Sequence, residues 1–299
     1  GGLMSSLARE MTNTADLFRR TADRAVQGAV SAVQDTGKVW EIGEQGAGLG
    51  LAATRLLARS PDPKSRLKGK LGVMKRATWS KAIPLADIKL IKNNLGGTVN
   101  DVLVTAVAGG LRRYLVDKGD DIADLEFRAA IPVNLRGEAD GGKLGNKFGL
   151  VFLTLPVSIE EPLMRLTEVR RRMEALKQSA EAPVVLGVLG MMGMATDRFR
   201  ELVVRILEPK ATIVLTNVPG PPIPLYLAGR KIKEIMFWVP QAGRLGVGVS
   251  ILSYAGNTYL GIATDAGLVP DPDLVLEGMY AELDRMKTLA QAVGSNGHK

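Results

Sequence analysis

Cysteine is absent from this chain of 299 residues, and histidine occurs once, at His298. Without cysteine the chain has no disulfide framework, no thiolate nucleophile and no thiolate metal site. His298 is the penultimate residue of a stretch rich in Gly, Ser and Asn, and we predict a flexible tail over residues 293–299. We therefore expect neither a metal site nor a Ser-His-Asp triad assembled from this chain alone.

Long apolar runs and aromatic side chains are also scarce. No apolar run reaches the roughly 20 residues that a membrane-spanning helix needs, and the closest, residues 183–195, is typical of a buried core helix. Aromatic residues make up 5% of the chain, and no zinc-finger, RRM-like or helix-turn-helix signature is present. The net charge of +8 indicates an anionic partner: nucleic acid, an acidic membrane surface or a phosphate-bearing ligand. The missing signatures disfavour nucleic acid.

The helix and strand patterns divide the chain into three parts. A composition of 46% hydrophobic and 23% charged residues is typical of a globular protein. Residues 1–76 predict two or three helices and then an exposed basic linker, because Pro61 and Pro63 interrupt the pattern. Residues 77–292 alternate between strand and helix patterns, and residues 293–299 form the predicted tail. The fold class is α/β with a mixed sheet. The alternating patterns require parallel connections between strands, and residues 255–257 suit the turn of an antiparallel hairpin.

Periodicity also places the individual elements of the α/β part. After Ser158, Glu161 suggests a capping box that opens a helix with Leu163, Leu166, Met173 and Leu176 facing inward. The final helix is predicted over residues 274–289, capped by Asp271 or Asp273. The remaining predictions are helices over residues 98–118 and 184–207 and strands over residues 127–133, 148–157, 212–218, 232–239, 246–254 and 258–264.

Two segments place polar residues where chemistry could occur. At the head of the helix over residues 98–118, Thr98 and Asp101 fit a capping box, and this is the interpretation that physics alone favours. The alternative is that Asn100 points its amide into a cavity while Asp101 fixes the helix entry. In the second segment a buried strand ends at Thr216 and Asn217, where ligands tend to bind in α/β sheets. Asn217 fits a simple turn residue before prolines equally well.

Two further segments suggest phosphate contacts only weakly. The glycine-rich residues 141–146 lack both the Walker and the Rossmann spacing, so a flexible strand connection is the better interpretation. The arginines at positions 170–172 are typical of one side of an exposed helix, although arginine also holds phosphates well.

Five segments together resemble the bacterial wax ester synthase/diacylglycerol acyltransferase (WS/DGAT) family, in the order in which that family has them. They are TVNDVLVTAVAGGLRRYL at residues 98–115, IPVNLRG at 131–137, LGNKFGLVFLTLP at 144–156, TNVPGP at 216–221 and the hairpin at 246–265. The resemblance covers about residues 79–286. It implies a chloramphenicol acetyltransferase-like, coenzyme A-dependent acyltransferase subdomain whose mixed β-sheet is flanked by helices.

The resemblance also implies an activity, in which a fatty acyl group passes from acyl-CoA to diacylglycerol or a fatty alcohol. In that family an HHxxxDG motif in the amino-terminal subdomain supplies the general-base histidine, and an Asn-Asp motif, matched here by Asn100 and Asp101, is associated with activity. Thr216, Asn217 and Gly220 would then line the substrate tunnel. Basic side chains would receive the phosphates of acyl-CoA, which enters as a substrate, and no bound cofactor is expected.

The HHxxxDG motif does not occur in these residues. We expect that the chain starts just downstream of it, that its partner is the missing amino-terminal subdomain, and that the chain alone is inactive. The resemblance implies a cytoplasmic protein that can lie at the inner membrane or at lipid droplets. Two alternatives stay open: a non-catalytic lipid-binding or membrane-surface module that kept the fold, and a scaffold whose basic face binds acidic partners.

Overall fold

The computed structural model describes residues 59–134, 148–179, 208–239 and 244–296. In these ranges four α-helices occur: α1 (Leu85–Leu95), α2 (Val99–Asp117), α3 (Pro162–Lys177) and α4 (Pro272–Asn296). The predictions for the helices before residue 59, the loop over 141–146, the helix over 184–207 and His298 lie outside the described residues. No helix in the described ranges has the length and apolarity to cross a membrane.

A mixed sheet, which has seven strands in the described residues, forms the other layer. Its strands are β1 (Lys75–Trp79), β2 (Ile83–Pro84), β3 (Phe127–Asn134), β4 (Phe148–Leu155), β5 (Ile213–Pro219), β8 (Val247–Tyr254) and β9 (Asn257–Asp265). Two short strands, β6 (Tyr226–Leu227) and β7 (Arg230–Lys231), form a separate hairpin. The order is β1-β9-β8-β5-β3-β4, and β2 also pairs with β9. The central strands β3, β5 and β8 are parallel, whereas the outer pairs are antiparallel. The predicted mixed α/β architecture is thus confirmed.

The main core lies between the helices and one face of the sheet. Alternate residues of β5, Ile213 and Leu215, are fully or almost fully buried there with Val249 of the neighbouring strand and with apolar residues of all four helices. Among the described helices, α2 and α4 share the most extensive contact, where glycines let the backbones approach closely. A Cβ on Gly110 would lie 2.8 Å from the carbonyl oxygen of Val275, so this position is reserved for glycine. The geometry therefore fixes α2, and with it the helix start, against the rest of the domain.

The strand hairpin at β8 and β9 follows the prediction. Tyr254 pairs with Asn257, so the turn consists of Ala255 and Gly256. Both turn residues have positive φ, 46° and 83°, as the tight turns that suit the twist of antiparallel strands require.

The interpretation of residues 64–76 as an exposed linker is wrong for its first part. Leu67 is fully buried in the core, and the Lys68 ammonium donates hydrogen bonds to the carbonyls of Pro209 and Ala211. Asp62 is buried as well, where its carboxylate accepts from the Thr212 hydroxyl and the backbone of β3. The proline-rich composition correctly excluded helix and strand there, but it carried no information about burial.

The start of α3 also differs from the prediction. The N-cap residue is Glu161, its side chain makes no capping hydrogen bond, and Pro162 occupies the first turn. Proline suits that position because it lacks the amide hydrogen that would be unpaired there. Leu166, Met173 and Leu176 face the core as predicted, but Leu163 is 44% exposed. Arg165 is buried in an ion pair with Glu282 of α4. The Arg165 guanidinium also donates hydrogen bonds to the carbonyls of Ile159 and Glu160, just before the helix. These bonds hold the segment before the helix in place of the predicted capping box.

Two further boundaries differ. Residues 232–239 do not form the predicted strand. They cross the face of the sheet opposite the helices and contact it there. The Val239 amide donates to the Ser250 hydroxyl at 2.9 Å, and Met236 covers Gly261. Helix α4 continues to Asn296, well past the predicted end at residue 289, so the first residues of the predicted tail are helical. Asp271, one of the two predicted caps of α4, accepts hydrogen bonds from the Tyr114 hydroxyl and the Lys118 ammonium through its carboxylate.

Candidate functional site

Helix α2 begins with a complete capping box. The Thr98 hydroxyl accepts a hydrogen bond from the Asp101 amide at 3.2 Å, and Asp101 Oδ2 accepts from the Thr98 amide and hydroxyl at 2.8 Å each. Asp101 is 2% exposed, and its Oδ1 has no hydrogen-bond partner among the described residues. The carboxylate lies at the positive end of the helix, where the dipole stabilises a negative charge. The capping prediction is confirmed, so Asp101 first of all fixes the helix entry.

Asn100, between these capping residues, contacts the end of β5. The Asn217 side-chain amide Nδ2 donates a hydrogen bond to Asn100 Oδ1 at 2.8 Å, and both residues are partly exposed. The two segments that the sequence singled out separately, at residues 98–101 and 216–217, therefore meet at a single contact. Asn217 lies two residues beyond Leu215, where the buried part of β5 ends. The pair thus marks the place where the core opens to solvent.

Thr216 does not face this pair. Successive strand residues point to opposite faces of a sheet, and Asn217 points to the helical face. Thr216 is paired in register with Ser250, whose hydroxyl binds the segment crossing the other face. The Thr216 hydroxyl is buried without a partner among the described residues. The structure therefore brings Asn217, but not Thr216, to Asn100.

Gly220 lies in the turn beyond β5 and contacts the backbone of β8. Its amide donates to the Ser253 hydroxyl at 3.3 Å, and a Cβ at this position would lie 2.2 Å from the Ser253 carbonyl oxygen. Only glycine permits so close an approach. Gly220 therefore holds the end of β5 against β8 and sets the path of the chain after the Asn217 site.

The three consecutive arginines of α3, at positions 170–172, differ in their contacts. Arg171 and Arg172 both bind Glu168, and Arg172 also binds Glu126. The hydrogen bond from Arg171, aided by Arg172, lowers the pKa of Glu168 from 4.5 to about 2 despite its partial burial. Arg170 is exposed, forms no ion pair with a described residue, and its guanidinium lies beside Gly96, where a Cβ would be 3.2 Å from Nη1. A guanidinium group that is not ion-paired within the described ranges thus lies close to the head of α2.

The two amides can orient and polarise a bound group, but they cannot accept a proton at neutral pH. Since Asn217 occupies the Asn100 oxygen, the Asn100 amide nitrogen is left to donate, and the Asn217 oxygen is left to accept. An amide has no proton-accepting group with a pKa near 7. The described site contains no histidine. The amide pair therefore offers one hydrogen-bond donor and one acceptor to a ligand.

Comparison with solved structures shows which proteins share this fold. The fold matches a wax ester synthase/diacylglycerol acyltransferase from Marinobacter aquaeolei at a TM-score of 0.59 and 22% identity, over 81% of this chain and 57% of that one. It also matches the cyclization-docking bidomain of the EpoB peptide synthetase from Sorangium cellulosum, with a TM-score of 0.55 and 15% identity, over 80% of this chain and 48% of that one. The fold is the one shared by these acyltransferases and by domains of nonribosomal peptide synthetases.

The sequence comparisons show which family the chain resembles. The model of the WS/DGAT C-terminal domain matches residues 144–287. A probable diacylglycerol O-acyltransferase of Mycobacterium tuberculosis and a putative one of Mycobacterium bovis are each 28% identical over 231 residues, which is 76% of this chain and 50% of theirs. The chain thus spans about half the length of these relatives. The predicted family resemblance is confirmed.

Proposed function

We propose that the chain is the carboxy-terminal part of an acyl-CoA-dependent O-acyltransferase that forms triacylglycerol or wax ester. The observation that carries the proposal is the hydrogen bond between Asn217 and Asn100. It joins two of the five segments of the family resemblance, those at residues 98–115 and 216–221. The names of the curated relatives, which are diacylglycerol O-acyltransferases, support the same reaction class.

The reaction needs a base that these residues lack. We propose that it is the histidine of an HHxxxDG segment in polypeptide outside the 299 residues, which is the partner of this chain. The histidine takes the hydroxyl proton of diacylglycerol or a fatty alcohol while the oxygen attacks the thioester carbonyl. The tetrahedral intermediate then collapses, the C–S bond breaks, and the histidine returns the proton to the coenzyme A thiolate. The products are the ester and free coenzyme A.

Asn100 stabilises the negative charge that develops on the thioester oxygen. Its amide nitrogen donates a hydrogen bond to that oxygen, and Asn217 acts as a positioning residue that holds the Asn100 amide in the required orientation. Preorganised donors of this kind are effective because they need no reorientation during the reaction. Asp101 and Thr98 hold the backbone from which Asn100 projects, and so act one step further away.

The acyl-CoA phosphates bind on the side of α3. Arg170 is the best placed of its cluster because it is exposed and not ion-paired to a described residue, whereas Arg171 and Arg172 are engaged by Glu168. Guanidinium groups bind phosphates with paired hydrogen bonds. The acceptor lipid enters from a membrane or a lipid-droplet surface, at which the enzyme is peripherally bound.

Substitution of Asn100 in the complete enzyme tests the proposal. We expect Asn100→Ala to lower kcat about 10²- to 10³-fold, the loss typical of one oxyanion donor, while the melting temperature stays close to that of the wild type. Asn217→Ala should give a smaller loss, and the double variant should lose less than the product of the two single losses, because both changes disrupt one contact. The matched control is Asn93→Ala, which removes an exposed asparagine from α1.

A loss of activity that follows the loss of melting temperature would overturn this role for Asn100. So would unchanged turnover in the Asn100→Ala enzyme, and strictly multiplicative losses in the double variant would overturn the role of Asn217. Thr98→Ala provides the comparison for a purely structural effect, since it weakens the same helix start without touching the amide.

A further inference from the structure

Strands β3 and β5 are neighbours in the sheet for only part of their length. They pair in parallel at two positions, the second of which joins Ala130 to Val214. Both strands continue beyond that pair, β3 to Asn134 and β5 to Pro219, without pairing to each other. Since paired strands lie about 4.8 Å apart, the two have diverged. Residues 131–134 and 215–219 therefore border a gap, here called the β3–β5 cleft, at the carboxyl ends of parallel strands, where α/β sheets bind ligands.

Both borders of the β3–β5 cleft are held in place from behind. Strand β3 pairs with β4 along its whole length, and β5 pairs with β8 through Pro219. In the described ranges the borders themselves have no strand partner across the cleft. Backbone amides and carbonyls are strong hydrogen-bonding groups that need partners. An extended ligand that carries amide groups suits such a cleft, because it can bind the strand edge as an added peptide strand does.

Asn217 lies on the diverging part of β5, and its position is fixed from two sides. It pairs in register with Ile251 of β8, and its side-chain nitrogen donates to Asn100 Oδ1 at 2.8 Å. Its side-chain oxygen accepts no hydrogen bond from a residue that the structure describes. A carboxamide oxygen has two lone pairs for N–H or O–H donors. Asn217 therefore holds one acceptor in a fixed orientation beside the β3–β5 cleft.

The proposed substrates contain few groups that can donate to the Asn217 oxygen. An acyl chain has no N–H or O–H group, and the hydroxyl of the acceptor alcohol gives its proton to the base in the proposed reaction. The pantetheine arm of acyl-CoA, in contrast, has an amide N–H separated from the thioester sulfur by two methylene groups. This donor belongs to the molecule whose thioester oxygen binds Asn100 in the proposed reaction. It is therefore the donor closest to the reacting carbonyl.

We propose that the Asn217 side-chain oxygen accepts a hydrogen bond from the amide N–H of the pantetheine arm nearest the thioester, with the arm in the β3–β5 cleft. The inference rests on the proposed function for the identity of the thioester carrier. It makes Asn217 a substrate-binding residue in addition to the residue that positions Asn100. The two amides then bind one substrate at two points, the thioester oxygen and the carrier amide. This pair of contacts holds the thioester carbonyl in a single orientation toward the base.

Two truncated acyl donors that differ in one group test this hydrogen bond in the complete enzyme. S-dodecanoyl-N-acetylcysteamine keeps the amide N–H, whereas S-dodecanoyl mercaptoethyl acetate has an ester oxygen in its place. We expect kcat/KM to be about 5- to 150-fold lower for the ester, the range for an acceptor left without its donor. Asn217→Ala should remove this preference, and the control Asn93→Ala should keep it. Intrinsic reactivity cancels because the same two donors are compared in every variant.

Asn217→Asp separates the binding role of Asn217 from its positioning role. Aspartate keeps an oxygen acceptor but loses the amide nitrogen that donates to Asn100. We expect kcat to fall for both donors alike while the preference for the amide donor remains. A purely structural effect of position 217 would not distinguish the two donors in any variant.

Binding of unreactive analogues keeps this inference distinct from the proposed reaction. In these ketones a methylene group separates the sulfur from the carbonyl, and one carries the N-acetylcysteamine amide while the other carries the mercaptoethyl ester. Titration calorimetry on the complete enzyme should show tighter binding of the amide ketone, and equal binding of both to Asn217→Ala. That result without any transfer from acyl-CoA would contradict the proposed reaction and still support this contact. Equal use of the two donors by the wild type, a preference that persists in Asn217→Ala, or no difference between the ketones would overturn the inference.

Discussion

Asn100 and Asp101 are neighbours in sequence but act through different groups. Asp101 is buried and holds the first turn of its helix through Thr98, whereas Asn100 is partly exposed and bonded to Asn217 on another element. The dipeptide thus combines a stability function and a proposed catalytic function in adjacent positions. Substitutions at the two residues should therefore separate in their effects.

Removal of the capping box should lower stability. We expect Thr98→Ala to reduce the free energy of unfolding by about 0.5–2 kcal/mol, the range for the loss of an N-cap side chain, with little change in kcat of the folded enzyme. Urea unfolding followed by circular dichroism measures the first quantity, and turnover at saturating substrate the second. A large drop in kcat without a drop in stability would show that Thr98 contributes to the chemistry.

The pKa of Glu168 predicts a specific response to acid. Its folded-state pKa of about 2 lies below its ordinary value of 4.5 because Arg171 and Arg172 stabilise the carboxylate. The stabilisation is fully present above about pH 4.5 and is lost as the pH falls toward 2. We expect the difference in unfolding free energy between the wild type and Glu168→Gln to shrink over that window. A difference that stays constant over that window would contradict this contribution.

At the residue scale the sequence was informative where a motif was local. The capping box needs only Thr98 and Asp101 at the right spacing, and it was predicted correctly. The meeting of Asn100 with Asn217 could be expected only through the family resemblance, because it depends on how a helix start and a strand end are packed. Thr216 was grouped with its neighbour, although strand alternation places the two on opposite faces once the register is known.

The packing of α2 against α4 is the main contact between elements near the site. Gly109, Gly110 and Gly278 lie where the two helices approach most closely, and a Cβ at any of them would meet a neighbouring residue at 2.9 Å or less. The sequence pattern of α2 showed an apolar helix but not which neighbour it would contact. The glycines keep α2, and therefore Asn100, at a fixed depth relative to the sheet.

Gly110→Ala tests this close packing. Alanine has the higher helix propensity by about 1 kcal/mol, so an open site would gain stability. We expect a loss of about 1–3 kcal/mol, because the added methyl group meets the backbone of α4 and overpacks the contact. In the control Gly294→Ala the methyl group meets chiefly the side-chain amide of Asn94, which can move. Equal effects of the two substitutions on urea unfolding would contradict the packing argument.

Prediction succeeded for the elements with a regular sequence pattern. It failed where the structure of a segment depends on burial or on contacts with distant side chains. The helix over residues 99–117 and the β8–β9 hairpin followed from periodicity and from the Ala255-Gly256 turn. Residues 232–239 have a strand-like composition, but they pair with no strand of the main sheet, and the Val239 amide binds the Ser250 side chain of β8. The burial of Arg165 could not be predicted from the sequence, because its neutralising partner Glu282 lies on a distant helix.

At the scale of the whole molecule the central question is where the reaction's base comes from. The described domain supplies an ordered amide pair, an exposed arginine and a WS/DGAT C-terminal fold, while the chain spans about half the length of its curated relatives. The described site contains no histidine, and its amide pair cannot take a proton from an alcohol. We therefore propose that two polypeptide parts form one active site.

Reconstitution tests this requirement most directly. The 299-residue chain is assayed for coenzyme A release and ester formation with acyl-CoA and diacylglycerol, alone and after mixing with separately folded polypeptide that carries the HHxxxDG segment. The account predicts no turnover for either part alone, turnover in the mixture, and its loss when the mixture contains Asn100→Ala. Turnover by the 299-residue chain alone, or a mixture that associates and binds acyl lipid without any turnover, would contradict it.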